Sequence, residues 1–250
     1  MTGGWIEVER ELAAWSAGGL VPRLWWRDDD AVEVTPQLER MLAQSAHHAA
    51  PLLLAVVPAH ATPALARQLA DVRLVEPCVH GYAHVNFAPT GEKAQELGDH
   101  RPLEVVVADL RRGRERLQEL FGDHLLPVLV PPWNRISDRV IAELPKLGFG
   151  GLSRFGSSEI VVRAGLREID THVDIIDWKG GRVGIAHDRL RRKLAEALAT
   201  ARAGGGSPVG ILTHHLVHDA TAWSFMDDLL AFVAAHPPLG WVAPRELWRS

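Results

Sequence analysis

The chain has 250 residues, 47% of them hydrophobic and 23% charged, and a formal net charge of −4. That composition supplies a sizeable core, argues against disorder and leaves no nucleic-acid footprint. Cys78 is the only cysteine, so an internal disulfide and a cysteine-built zinc cluster are excluded, and any metal must sit on His and carboxylate ligands.

The first ten residues carry neither a basic n-region nor an apolar h-region, which makes the cytoplasm the expectation. Residues 20–26 read as a first strand and 36–48 as its helix. Residues 52–57 form a buried strand, followed by a short helix with Pro63 near its start. The uncharged apolar run 49–66 holds three prolines and His60, so it is no membrane span. A third strand is expected at 72–79. Residues 81–101, with three Gly and Pro89, form a long functional loop. A helix follows at 102–121, then a strand at 125–130 that ends on Pro131-Pro132, a helix at 136–147 and a strand-like stretch at 150–153. A strand at 170–176 precedes a helix at 188–203, closed by Gly204-Gly205-Gly206. A strand at 209–213, a helix at 221–235 and a strand at 240–243 complete the chain. About seven or eight βα units in one domain, 1–250, favour a (β/α) barrel over a small open sheet.

In such barrels the chemistry gathers at the C-terminal ends of the strands. The polar clusters fall there: Asp28-Asp29-Asp30, His80, Pro132-Trp133-Asn134, Asp177-Trp178 and His214-His215. His80 and His84 are spaced i, i+4, which on a helix would set both imidazoles on one face. With 13 His in the chain, chance supplies roughly 0.7 such pairs, and His214 with His218 is a second, so the spacing alone is weak. The Asp triple is expected only about 0.05 times by chance. Three adjacent carboxylates repel one another and call for a cation; a solvated turn or an N-cap ahead of Pro36 is the plain alternative. His214 and His215 could be satisfied core histidines, Asp174 and Asp177 loop carboxylates, and Trp133 and Trp178 core residues.

The order of these elements resembles the polysaccharide deacetylase family, the NodB-like domains of carbohydrate esterase family 4: Asp-Asp, then His-x-x-x-His, Pro-Pro-Trp, Asp-x-x-Asp-Trp and Leu-x-His. The resemblance runs from about Leu24 to His215 and implies a distorted (β/α) barrel with about seven parallel strands. It implies an amide hydrolase with one divalent ion, zinc being the first choice, held by Asp30, His80 and His84. Asp29 would be the catalytic base, with Asp28 and Asp29 as the alternative pair. The Trp133 amide would help bind the oxyanion, Trp178 would wall the pocket, and His214 would be the catalytic acid, tuned by Asp177.

Three departures from the family stand out. Neither register of the Asp pair is followed by Gly, Gly81 stands where Ser or Thr is usual, and Val130 replaces the Arg that normally holds the base. Arg135 or Arg27 is the candidate substitute. The resemblance points to N-acyl sugars, and with no export signal a small N-acyl compound or an oligosaccharide fits better than a cell-wall polymer. Three rivals stand beside this reading. One is a metal-free ureide or amide hydrolase, against which the intact Asp, His, His set argues. Another is a non-catalytic metal- or sugar-binding protein, and the last is an interaction domain with incidental clusters.

Overall fold

The structure, a computed structural model, describes residues 4–249; residues 1–3 and 250 of the expected domain lie outside that range. Helix α1 (Ile6–Ala17) opens the chain ahead of strand β1 (Arg23–Ala31). Then come α2 (Pro36–His47), β2 (Leu52–Val56), α3 (Pro63–Leu69) and β3 (Val75–His80). Both α2 and α3 start on a Thr-Pro pair. The Thr35 and Thr62 hydroxyls accept from Leu38 N (3.1 Å) and Leu65 N (3.3 Å), and the proline sits where no N–H is needed. The 81–101 loop leads to α4 (Leu103–Phe121), β4 (Val128–Val130), α5 (Asp138–Ile141) and β5 (Gly151–Leu152). The helix expected over 136–147 is only this short α5 and a 3-10 turn begun by Pro145.

A hairpin, β6 (Val161–Arg163) and β7 (Leu166–Glu168), was not anticipated. The strand expected over 170–176 is two short strands, β8 (Val173–Asp174) and β9 (Ile176–Asp177), the second paired antiparallel with β10 (Val183–Gly184). The chain ends with α6 (His187–Ala203), β11 (Val209–Thr213), α7 (Ala220–Ala235), β12 (Gly240–Trp241) and α8 (Pro244–Leu247).

The main sheet runs β6-β7-β5-β4-β3-β2-β1-β11-β8, with β12 also on β1, and every neighbouring pair except β6–β7 is parallel. It curls without closing through named strands. A single parallel bridge, Phe155 to Thr171, joins the segment after β5 to the one before β8. This is the distorted (β/α) barrel expected.

Strand alternation divides β1 between two environments. Leu24 and Trp26 face the large core beneath the helices, while Trp25 joins Leu53, Ala55, Cys78, Val128 and Val130 inside the barrel. β1 extends five residues beyond the strand expected at 20–26, so the Asp triple lies within the strand and not after it. That extension decides where each carboxylate goes.

Candidate functional site

Strand alternation sends Arg27 and Asp29 inward together and Asp28 outward. Arg27 is fully buried above Trp25 and grips Asp29 with two bonds, Nε to Oδ1 (2.9 Å) and Nη2 to Oδ2 (3.0 Å). Its remaining donors go to Asn134 Oδ1 (2.6 Å), Ser153 Oγ (2.8 Å) and the carbonyls of Ser153 and Arg154. Such a planar, fully satisfied fork fixes a carboxylate in one orientation. Of the two candidate arginines, Arg27 is the one that holds Asp29, and Arg135 does not: it donates to Ala94 O (2.8 Å).

A plain strand would have sent Asp30 outward with Asp28. The register against β2 instead slips between Asp28 and Ala31, a β-bulge, and Asp30 takes φ 73°. Asp is one of the few side chains that tolerates this conformation. The bulge turns the Asp30 carboxylate back to the barrel mouth, beside Asp29.

His80 ends β3, and His84 reaches the same point through a turn in which Gly81 (φ 57°) and His84 (φ 56°) are left-handed. The helical face expected from the i, i+4 spacing is not how they meet; no helix forms there. Gly81 is required twice over, since a Cβ would also come within 2.6 Å of Pro132. That explains the absent Ser or Thr. Buried Glu96 clamps the turn by accepting from Tyr82 N (3.1 Å) and Ala83 N (2.8 Å). No pattern in the 81–101 loop identified Glu96 beforehand.

His80 Nε2 and His84 Nε2 lie 3.1 and 3.2 Å from Asp30 Oδ1. The three form the one group of metal-ligand type among the described residues, with donor atoms all within 4.8 Å. Ligand bonds of about 2.0 Å on a tetrahedral ion imply donor separations of about 3.3 Å. His80 Nδ1 donates to Val130 O (2.9 Å), which leaves the Nε2 lone pair of a neutral ring facing a carboxylate. Two acceptors at that distance need a proton or a cation between them. Burial alone would lower His80, but the Asp30 hydrogen bond and the Asp29 and Asp30 charges raise its pKa. Burial likewise opposes ionisation of Asp30, and the His80 bond with the His80, His214 and His84 charges outweighs it, holding the carboxyl low. His84 is pushed down by burial and by the His80 charge. The donor set therefore fits one divalent ion, with room left toward the cavity.

The cavity measures about 600 Å³ and is lined by Asp29, Asp30, His80, His84, Trp133 and His214, among others. Trp133 (φ 54°) sets its ring 4.3 Å from that of His84. His214 Nε2 is 3.9 Å from Asp29 Oδ2, and Trp178 meets the His214 ring edge-on at 4.6 Å. The carboxylate that joins this group is Asp174, not the expected Asp177. Asp174 lines the cavity, accepts from the Trp178 indole (2.7 Å), and is raised by burial against the lowering charge of His214. Asp177 is directed into the β9–β10 turn, where it accepts from Gly180 N (2.8 Å) and faces Arg189 (3.7 Å). The two positions are three apart, so strand alternation already turns them to opposite sides, and Asp177 belongs to the β9–β10 hairpin.

On the outer face Asp28 is sealed. It accepts from His215 Nδ1 (2.5 Å), His215 N (2.9 Å) and Thr213 Oγ1 (2.6 Å), and the Trp26 indole donates to Thr213 (2.8 Å). His218, the partner in the second i, i+4 pair, packs edge-on against Trp223 at 4.5 Å and is pushed down to about 4, chiefly by burial. Among the described residues it joins no ligand group.

No family model matches the sequence, and no curated protein matches it. Solved structures do match in fold. A protein from Mycobacterium smegmatis assigned as a polysaccharide deacetylase superposes with a TM-score of 0.63 at 20% identity, over 84% of this chain and 74% of that one. A peptidoglycan N-acetylglucosamine deacetylase matches with a TM-score of 0.60 at 14% identity, over 90% of this chain and 87% of that one. A Bacillus anthracis pseudoenzyme of carbohydrate esterase family 4 matches with a TM-score of 0.61 at 14% identity, over 91% of this chain and 65% of that one. The fold is thus the NodB-like fold of the polysaccharide deacetylases.

Proposed function

We propose that the protein is a metal-dependent hydrolase that removes an acyl group, acetyl being the simplest, from the amide nitrogen of a sugar or other small N-acyl compound. One observation carries this reading: an Asp-His-His donor set, an arginine-held carboxylate and a histidine share a single cavity. Asp30, His80 and His84 would hold the ion, zinc by preference for such ligands. When bound, it supplies Lewis acidity and a water of lowered pKa.

The chain's own groups divide the proton work. Asp29, fixed by Arg27, takes the proton of the attacking water. The Trp133 amide donates to the oxygen on which charge develops. Protonated His214 gives its proton to the departing nitrogen, since an amine anion is too basic to leave at neutral pH. Trp178 packs edge-on against His214 and is itself held by Asp174.

The test is amide cleavage by the purified protein with and without chelator, with metal measured on the same samples. His214→Ala should keep the metal and lose roughly 10²- to 10⁴-fold in amide turnover, but much less on an activated ester whose phenolate departs unaided. Equal losses on both substrates would remove His214 from the acid role. The reading as a non-catalytic binder drew on the missing motif arginine, and Arg27 now answers that point. Metal binding without turnover across a broad amide screen would restore it.

A further inference from the structure

The cavity contains three carboxylates, and each is already engaged. Asp29 takes the Arg27 fork, Asp30 faces the two histidines, and Asp174 accepts from the Trp178 indole and from Ile176 N (2.9 Å). Two guanidinium groups line the same cavity from separate elements, Arg135 after the Pro132–Asn134 turn and Arg182 at the tip of the β9–β10 hairpin. Among the described residues neither lies within 4.0 Å of a carboxylate, although the chain forms such pairs freely elsewhere, as at Arg101–Asp109 and Arg245–Glu76. Arg135 is tied to Ala94 O (2.8 Å), and Arg182 lies over the Trp178 ring, 5.5 Å from its centroid. Arg182 also occupies φ 60°, a turn position that glycine fills at less cost.

A second feature accompanies these cations. Trp178 (38% exposed) and Phe155 (43% exposed) are among the most open large apolar side chains of the protein, and both face this cavity. Exposed aromatics at a cavity rim offer a flat surface for a ring, and neighbouring guanidinium groups offer forked donors to an anion. With a divalent ion on Asp30, His80 and His84, the cavity carries a net positive charge.

We propose that the substrate bears an anionic group, a carboxylate or a phosphate, which Arg135 and Arg182 bind while the ring of the substrate lies against Trp178. The proposal rests on the deacylase reading for the position of the acyl group, but the anion preference is a binding property that can be measured without turnover.

The experiment is calorimetric titration of the metal-loaded protein with N-acetylglucosamine 6-phosphate, N-acetylmuramic acid and neutral N-acetylglucosamine. At least one anionic sugar should bind about tenfold or more tightly than the neutral one, and the preference should shrink as salt rises from about 0.05 M to about 0.5 M. A gain with the 6-phosphate alone assigns a phosphate, and a gain with the muramic acid alone assigns a carboxylate. Arg182→Gln and Arg135→Gln should each reduce the preference, and together abolish it. Metal content is measured on every sample, because an anion can also bind the ion directly. A preference that survives the double substitution with metal intact overturns the proposal, as do equal affinities or no binding by any of the three sugars. Anion-selective binding without amide cleavage would leave this proposal standing and overturn the hydrolase reading. Cleavage of neutral substrates without anion preference would do the reverse.

Discussion

Strand β1 carries two carboxylate–histidine assemblies only two residues apart, and they have opposite characters. On the outer face Asp28 meets His215 in a sealed pair whose lone pairs are filled by three donors. On the inner face a single Asp30 oxygen meets both His80 Nε2 and His84 Nε2, and a third of the Asp30 side chain is open to the cavity. Residue type is the same on both sides. What separates a structural Asp–His pair from a candidate metal centre is whether its donors and acceptors already match, and whether a solvent path reaches the mismatch.

The sharpest way to break that comparison is to truncate each carboxylate. Asp30→Ala should release the metal and take amide turnover to background, as should His80→Ala; metal analysis and turnover on the same preparation read both. Asp28→Asn should keep the metal. If the Asp28 variant arrives empty and the Asp30 variant full, the two faces have been assigned the wrong way round.

Arg27 sharpens the comparison next, because it marks the inner face as a built site. Arg27→Met leaves Asp29 as a buried carboxylate without its partner, and should cost about 3–5 kcal/mol in denaturant unfolding. Turnover per folded molecule should also fall. A loss below about 1 kcal/mol would place the pair with ordinary surface ion pairs.

The outer pair should register in stability as a function of pH. Burial opposes the charge on both groups, yet their mutual attraction lowers Asp28 from 3.8 and raises His215 from 6.5. The raised histidine contributes stability that is full below pH 6.5 and is lost as pH climbs through its folded pKa. The lowered carboxyl contributes above pH 3.8 and loses this as pH falls. The stability gap between wild type and Asp28→Asn should therefore be widest between these values and narrow toward alkaline pH. A gap that grows toward alkaline pH would mean that His215 is neutral in the folded protein.

The smallest effect is expected at Glu96. Glu96→Ala frees two backbone donors of the His80–His84 turn without touching a ligand, and should weaken metal binding about tenfold, measured by competition with a chelator. Unchanged affinity would show that Gly81 and the bulk of Pro132 hold the turn unaided.

Much of this was legible in the residues alone. The βα alternation and the Pro36 and Pro63 helix starts are local signals, while the order of the motifs carried the resemblance that implied Asp30, His80 and His84, and the structure brings those three side chains together. Hydrophobic period and turn chemistry act over a few residues, so they survive in a one-dimensional string. The rest depended on pairing between distant segments. Which Asp of three faces the cavity follows from a bulge that exists only against β2. That Arg27, and not Arg135, grips Asp29 follows from strand parity together with Asn134 and Ser153, more than one hundred positions away. Asp174 displaces Asp177 because Asp174 pairs with Leu212 of β11, two positions before His214, while Asp177 belongs to the β9–β10 hairpin. Side-chain direction reverses with every residue of a strand. The sequence by itself therefore determined which chemical groups gather at the barrel mouth, and only the tertiary structure, through register, bulge and strand parity, decided which of them point into it.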